Sequence, residues 1–145
     1  MGICCAKFNK YKLNKCTLEN TPKYDFKGKI YLCKVLSVYD GDTITIAIKI
    51  EDKIFQRRVR MYGYDSPEMK PLKKLKNRDE IIKKAKIAKS VLEDKIKDKI
   101  VECHIIGFDK YGRLLANIIY LGENINDFML KSGNGYEYFG GKKNP

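Results

Sequence analysis

The segment IYLCKVLSVYDGDTITIAIKI, residues Ile30–Ile50, sets the architecture. Ile30 to Val38 is apolar and β-branched, which predicts a strand. Asp40-Gly41 is a turn signal. Beyond it Ile44, Ile46, Ile48 and Ile50 alternate with Thr43, Thr45, Ala47 and Lys49, the period of a half-buried strand. Downstream, Glu51-Asp52-Lys53 turns the chain again. Phe55, Val59 and Met61 then alternate with Gln56, Arg58, Arg60 and Tyr62, predicting a third strand.

Past a loop bracketed by Pro67 and Pro71 the period changes. Ile81, Ala85, Ala88, Leu92 and Ile96 recur at three and four, which predicts a helix from Arg78 to about Asp98. Ile100 to Ile106 reads as a fourth strand, Asp109 to Gly112 as a turn, and Leu114 to Tyr120 as a fifth strand. A short helix follows over Ile125 to Lys131, and the glycine-dense end reads as loop. Upstream, residues 1–28 lack periodicity and carry Asn9, Asn14, Asn20, Pro22 and Gly28, as a loosely ordered polar tail does. The order fits an α+β, mainly β fold: a five-stranded OB-like barrel with two or three helices. The expected organisation is a basic tail over 1–28, one domain over 29–140 and a short tail over 141–145.

The net charge is +12, and it is unevenly spread. Residues 1–29 hold seven Lys against two acids, and residues 69–99 twelve Lys and Arg against five; elsewhere the charges balance. Two basic segments point to a polyanionic partner, nucleic acid or an anionic membrane surface. The five cysteines form no C-x-x-C pair, which gives zinc and redox motifs no support. Cys33 and Cys103 lie in apolar runs and read as small core residues. His104 sits inside an apolar strand and reads as structural.

Four acids stand at sharp chain reversals: Asp40 and Asp42 in YDGDT, Asp65 and Glu68 in YDSPE. Either cluster alone is ordinary turn chemistry. Together they offer hard oxygen donors of the kind that suit Ca²⁺ or Mg²⁺ rather than zinc. A carboxylate not spent on a metal can act as general base. Arg60 and Arg113 are the basic partners, because a guanidinium matches a phosphoryl group better than Lys does. For a random arginine the bland readings win. Arg60 then lies on the strand surface like Arg57 and Arg58, and Arg113 simply pairs with Asp109.

Asp40-Gly41-Asp42-Thr43, then Arg60 followed by Asp65-Ser66-Pro67-Glu68, then Asp109-Lys110-Tyr111-Gly112-Arg113 resemble the staphylococcal nuclease (thermonuclease) family. All three motifs stand in family order, with the helix between the second and third, and the likeness covers roughly residues 29–140. The resemblance implies a Ca²⁺-dependent nuclease that cuts DNA and RNA, preferably single-stranded, leaving a 3′-phosphate and a 5′-hydroxyl. It implies that Asp42 and Asp65 bind Ca²⁺ through carboxylates and Ser66 through its backbone carbonyl, with Asp40 supporting them. Glu68 would orient or deprotonate the attacking water. Arg60 and Arg113 would hold the phosphate, Arg113 assisting the leaving oxygen. Tyr111 and Tyr138 are candidates to stack on or border the nucleotide. A catalytically silent nucleic-acid-binding barrel is the alternative, but the motifs have lost no Asp, Glu or Arg.

Gly2 with Cys4 and Cys5 resembles a myristoylation site with adjacent palmitoylation, although Ala6 stands where Ser or Thr is usual. Lys7, Lys10, Lys12 and Lys15 would add a basic patch for the membrane. The apolar start is too short for a secretory signal, so an intracellular protein is expected, on the cytoplasmic face of a membrane if acylated. No protein partner is implied.

Overall fold

The computed structural model describes residues 3–23 and 25–141, with backbone alone for residues 3–7. The elements are α1 (Ile3–Leu13), β1 (Ile30–Val38), β2 (Thr43–Ile50), β3 (Lys53–Met61), β4 (Gly63–Asp65), α2 (Arg78–Ile96), β5 (Ile100–Phe108), β6 (Leu114–Tyr120), β7 (Glu123–Asn124), α3 (Ile125–Lys131) and β8 (Tyr136–Tyr138).

β3, β2, β1, β5 and β6 lie side by side in antiparallel pairs, and β6 returns to pair parallel with β3. That last pairing, Val59↔Leu114 through Met61↔Ala116, closes the barrel. Irregularities between Val35 and Ser37 in β1 and between Ile105 and Gly107 in β5 bend strands that must curve to close. The result is the closed, mixed five-stranded barrel with helices that the sequence predicts.

The isoleucines of β2 fill the interior: Ile44, Ile46 and Ile48 are fully buried, with Val35, Val59, Leu114 and Ile118. Four positions of α2, Ala85, Ala88, Leu92 and Ile96, are buried, the helical period predicted for that face. Ile125 and Met129 of α3 are buried as well. Cys33 and Cys103 are core residues, as their surroundings predict.

Four features depart from the sequence reading. Residues 3–13 form a helix where a loose tail was expected, although Phe8 to Leu13 are all exposed and gain nothing from burial. Phe26, assigned to that tail, is buried and packs edge-on against Phe108 at 5.6 Å between ring centroids. Phe55, expected to alternate inward, is exposed. β6 begins opposite Val59, so the first six residues of β3 project beyond the barrel with a strand partner on the β2 side alone. The end of the chain, read as loop, holds β8, antiparallel to β4. Gly135 makes that approach possible, since a Cβ there would stand 2.5 Å from the Tyr64 ring.

Gly2 lies outside the described residues, as do the side chains of Cys4 and Cys5. Among the described residues no helix is long and apolar enough to cross a membrane.

Candidate active site

The β1–β2 turn is held against the barrel by the loop after β4. Gly41 has no room for a side chain: a Cβ there would meet the Cβ of Ser66 at 2.6 Å and of Ala88 at 2.9 Å. The buried Tyr64 hydroxyl donates to the Gly41 carbonyl at 2.7 Å. Asp42 is thereby held inward, and its Oδ2 accepts from the Ser66 amide (2.7 Å) and the Ser66 hydroxyl (2.9 Å). Its Oδ1 accepts from the Thr43 hydroxyl at 3.0 Å.

Arg60 closes the other side. Pairing with β6 turns this side chain into the barrel mouth, where it is 8 % exposed. Its guanidinium ion-pairs with Asp42 Oδ1 at 3.1 Å and with Asp65 Oδ1, and donates to the Met61 carbonyl at 3.1 Å. One guanidinium thus bridges two buried carboxylates, one from the β1–β2 turn and one from the end of β4. The outer oxygen of Asp65 accepts from the Tyr136 hydroxyl at 3.3 Å.

The β5–β6 turn brings the third motif. The Asp109 carboxylate accepts the amides of Tyr111 and Arg113, both at 2.9 Å, and Arg113 Nε at 2.5 Å. The pairing of Arg113 with Asp109 is therefore real, yet Arg113 Nη1 also donates to Thr43 at 3.3 Å. Thr43 links the third motif to Asp42 in the first. Burial favours the neutral form of Asp109, but the Arg113 side chain, the two amides and the Arg113 charge outweigh it and hold its pKa below the usual range. Asp40 behaves oppositely. Burial, with the charge of Asp42 beside it, pushes its carboxyl up to about 6, although its Oδ1 accepts the Asp42 amide at 3.1 Å.

Arg60, Asp65, Tyr111, Arg113 and Tyr138 line one cavity of about 450 Å³. Asp42 and Ser66 are not in that lining; Asp42 is bonded to Arg60, which is, and Ser66 is bonded to Asp42. Glu68 is exposed in the loop after Asp65 and is not part of that lining. Tyr111 is 72 % exposed, and the Tyr138 hydroxyl donates to the Gly141 carbonyl at 2.9 Å. His104 is half-buried and paired at 2.9 Å with Glu102, two residues back on the same face of β5, an acid that the reading of an apolar strand passed over.

Residues 58–144 match the Staphylococcal nuclease homologue family. The chain belongs to that family. The matched range starts after the Asp40–Thr43 turn, and the bonds from Asp42 to Arg60 and Ser66 join that turn to the family's core. An uncharacterized endonuclease of Haemophilus influenzae is 32% identical over 106 residues, 73% of this chain and 52% of that one. An uncharacterized protein of Bacillus anthracis is 36% identical over 107 residues, 70% of this chain and 45% of that one. The chain spans about half the length of the curated relatives it matches.

Four contributors escaped the sequence reading. Tyr136 reaches Asp65, Thr43 links Asp42 to Arg113, and Tyr64 anchors Gly41. Asn126, 2 % exposed, accepts the Ile118 amide (3.0 Å) and donates to the carbonyls of Tyr62 (2.8 Å) and Ala116 (3.1 Å). It ties α3 to the chain segment that carries Arg60 and Asp65. No local pattern marks an isolated Asn for that task. Tyr136 alternates with Glu137 and Tyr138, the one strand-like cue in that segment.

A divalent cation fits these residues. Among the described residues no three His, Cys, Asp or Glu side chains cluster as a ready site. Yet Asp42 and Asp65 lie near enough for one cationic group to contact both, all side-chain donors are oxygens, and two carboxylates outnumber the single Arg60 charge.

Proposed function

We propose that this chain is a Ca²⁺-dependent phosphodiesterase. It hydrolyses DNA and RNA, single strands preferentially, to products with a 3′-phosphate and a 5′-hydroxyl. The observation that supports it is the convergence of Arg60, Asp65 and Arg113 on one cavity, with Asp42 bonded to Arg60.

Asp42 and Asp65 would hold Ca²⁺ through their carboxylates and Ser66 through its backbone carbonyl, with Asp40 supporting Asp42. Bound there, the cation would polarise the phosphoryl group and acidify water. A guanidinium carries five N–H donors, so Arg60 has capacity for a phosphate oxygen beyond its carboxylate pairs. Arg113, fixed by Asp109, faces the same cavity and would neutralise charge building on the phosphoryl group and the leaving 5′ oxygen. Glu68 would orient the attacking water or take its proton. Tyr111 and Tyr138 would border the nucleotide and stack on its base.

The test is release of acid-soluble nucleotide from single-stranded DNA and RNA, in Ca²⁺ and in EGTA, by wild type and by Glu68→Ala. Cutting that ignores the chelator defeats the calcium requirement. Equal cutting by both proteins defeats the role of Glu68. No cutting by wild type defeats the enzyme.

The N-terminal segment is part of the proposal as a membrane anchor, acylated at Gly2, Cys4 and Cys5. Its support is the exposed stretch of α1 over residues 8–13, whose Lys10 and Lys12 would add attraction to an anionic membrane surface. Flotation with anionic vesicles, unchanged by Gly2→Ala, would refute acylation.

A further inference from the structure

The chain holds thirty Lys and Arg, of which five are arginine. Arg60 and Arg113 face the cavity described above. Two more, Arg57 and Arg58, line a second cavity of about 480 Å³ with Gln56, Tyr111, Gly112 and Arg113. Tyr111 and Arg113 belong to both, so the cavities are contiguous and the exposed Tyr111 ring stands at their junction. In a protein whose cations are mostly lysine, four of five arginines lie along one continuous concave path.

The second cavity has a structural cause. β3 loses its β6 partner upstream of Val59, because β6 starts only at Leu114. The gap between that unpaired edge and the β5–β6 turn is the cavity. No acid lines it. Among the described residues neither Arg57 nor Arg58 pairs with a carboxylate, and Arg58 lies over the Tyr39 ring at 5.0 Å. Guanidinium groups at a concave surface with no anion of their own suit a phosphate, which they can grip bidentately. An exposed aromatic ring between two such places suits a base stacked between successive phosphates.

We propose that Arg57 and Arg58 form a second phosphate subsite. It receives the backbone of a single strand that leaves the catalytic cavity across Tyr111. The substrate class is therefore an oligonucleotide several residues long rather than a dinucleotide. This rests on the nuclease reading of the first cavity and adds to it a preference for length.

The experiment compares a single-stranded DNA 12-mer with a dinucleotide, in wild type, in Arg57→Ala/Arg58→Ala, and in Arg57→Lys/Arg58→Lys. The ratio of kcat/KM for the 12-mer to that for the dinucleotide is expected to fall roughly tenfold in the alanine variant, through KM, with partial return in the lysine variant. Binding of the 12-mer without turnover, followed by fluorescence anisotropy in EGTA, should lose about 0.7 from the slope of log affinity against log salt, the contribution of one neutralised phosphate on a single strand. An unchanged ratio and slope overturn the subsite. A variant that self-associates while keeping the ratio overturns it too, because the arginines then serve to guard a bare strand edge. A wild type that cuts neither substrate refutes the nuclease reading alone, and the anisotropy slopes then decide the subsite by themselves.

Discussion

Replacing Gly41 by alanine tests whether the candidate site depends on the contact between the first two motifs. The new Cβ would stand 2.6 Å from the Ser66 Cβ and 2.9 Å from the Ala88 Cβ. Carbon atoms in contact prefer about 3.5–4.0 Å. Both obstructing atoms are attached directly to backbone, so no rotamer change relieves the clash, and the turn, the loop or α2 must shift by about 1 Å. Overpacking of this kind destabilises by roughly 1–3 kcal/mol. For a chain of 145 residues the unfolding entropy is about 0.3 kcal/mol per kelvin, so Tm should fall by about 3–10 °C. The same shift lengthens the bonds from Ser66 to Asp42. Displacement near 1 Å can lower turnover about a hundredfold. Gly112→Ala is the comparison: its Cβ would meet open space, and only the backbone at φ 77° is strained. Thermal unfolding and nuclease assays below the lowered Tm would be run on both variants. A Gly41→Ala protein with wild-type Tm and turnover would refute the claim that this contact sets the position of Asp42.

Asn126→Ala takes the side-chain partner from the buried Ile118 amide and the Tyr62 carbonyl, while the Ala116 carbonyl keeps the Tyr62 amide, so urea unfolding should show a loss of about 2–3 kcal/mol. Arg60→Leu abandons two buried carboxylates, so Tm should fall in EGTA and recover further on adding Ca²⁺ than it does in wild type. A calcium shift no larger than wild type's would argue against a cation between Asp42 and Asp65. Asp109 has a depressed pKa, so its stabilisation is present above the ordinary carboxylate value near 3.9 and fades as pH falls below it. Asp109→Asn should therefore lower stability by about 1 kcal/mol at pH 7, and the gap to wild type should close in the acid range. A gap that widens in acid would contradict the pairing with Arg113.

Long elements were legible because each carries its own period. α3 matches its predicted span, and β1, β2, α2 and β6 agree to within two residues. β4 and β8 were missed because three residues give a single alternation at most, too little to outweigh the glycines around β8. Phe55 misled because alternation reports which way a side chain turns, and cannot say that the strand has left the barrel behind. The three motifs named the acids and arginines of the site, and the fold brings Asp42, Asp65, Arg60 and Arg113 together. Glu68 was equally legible, yet it sits outside the cavity lining.

The amino-acid order alone settled which segments are strand or helix, which faces are apolar, and which turns carry charge, since each of these depends on neighbours a few residues apart. Asp42 meets Ser66 across 24 positions, Thr43 meets Arg113 across 70, and Asp65 meets Tyr136 across 71. Those encounters, the parallel closure of β3 on β6 and the gap beside Arg57 all follow from register and packing between distant segments. Many pairings satisfy the same local patterns, and burial of one shared core selects among them.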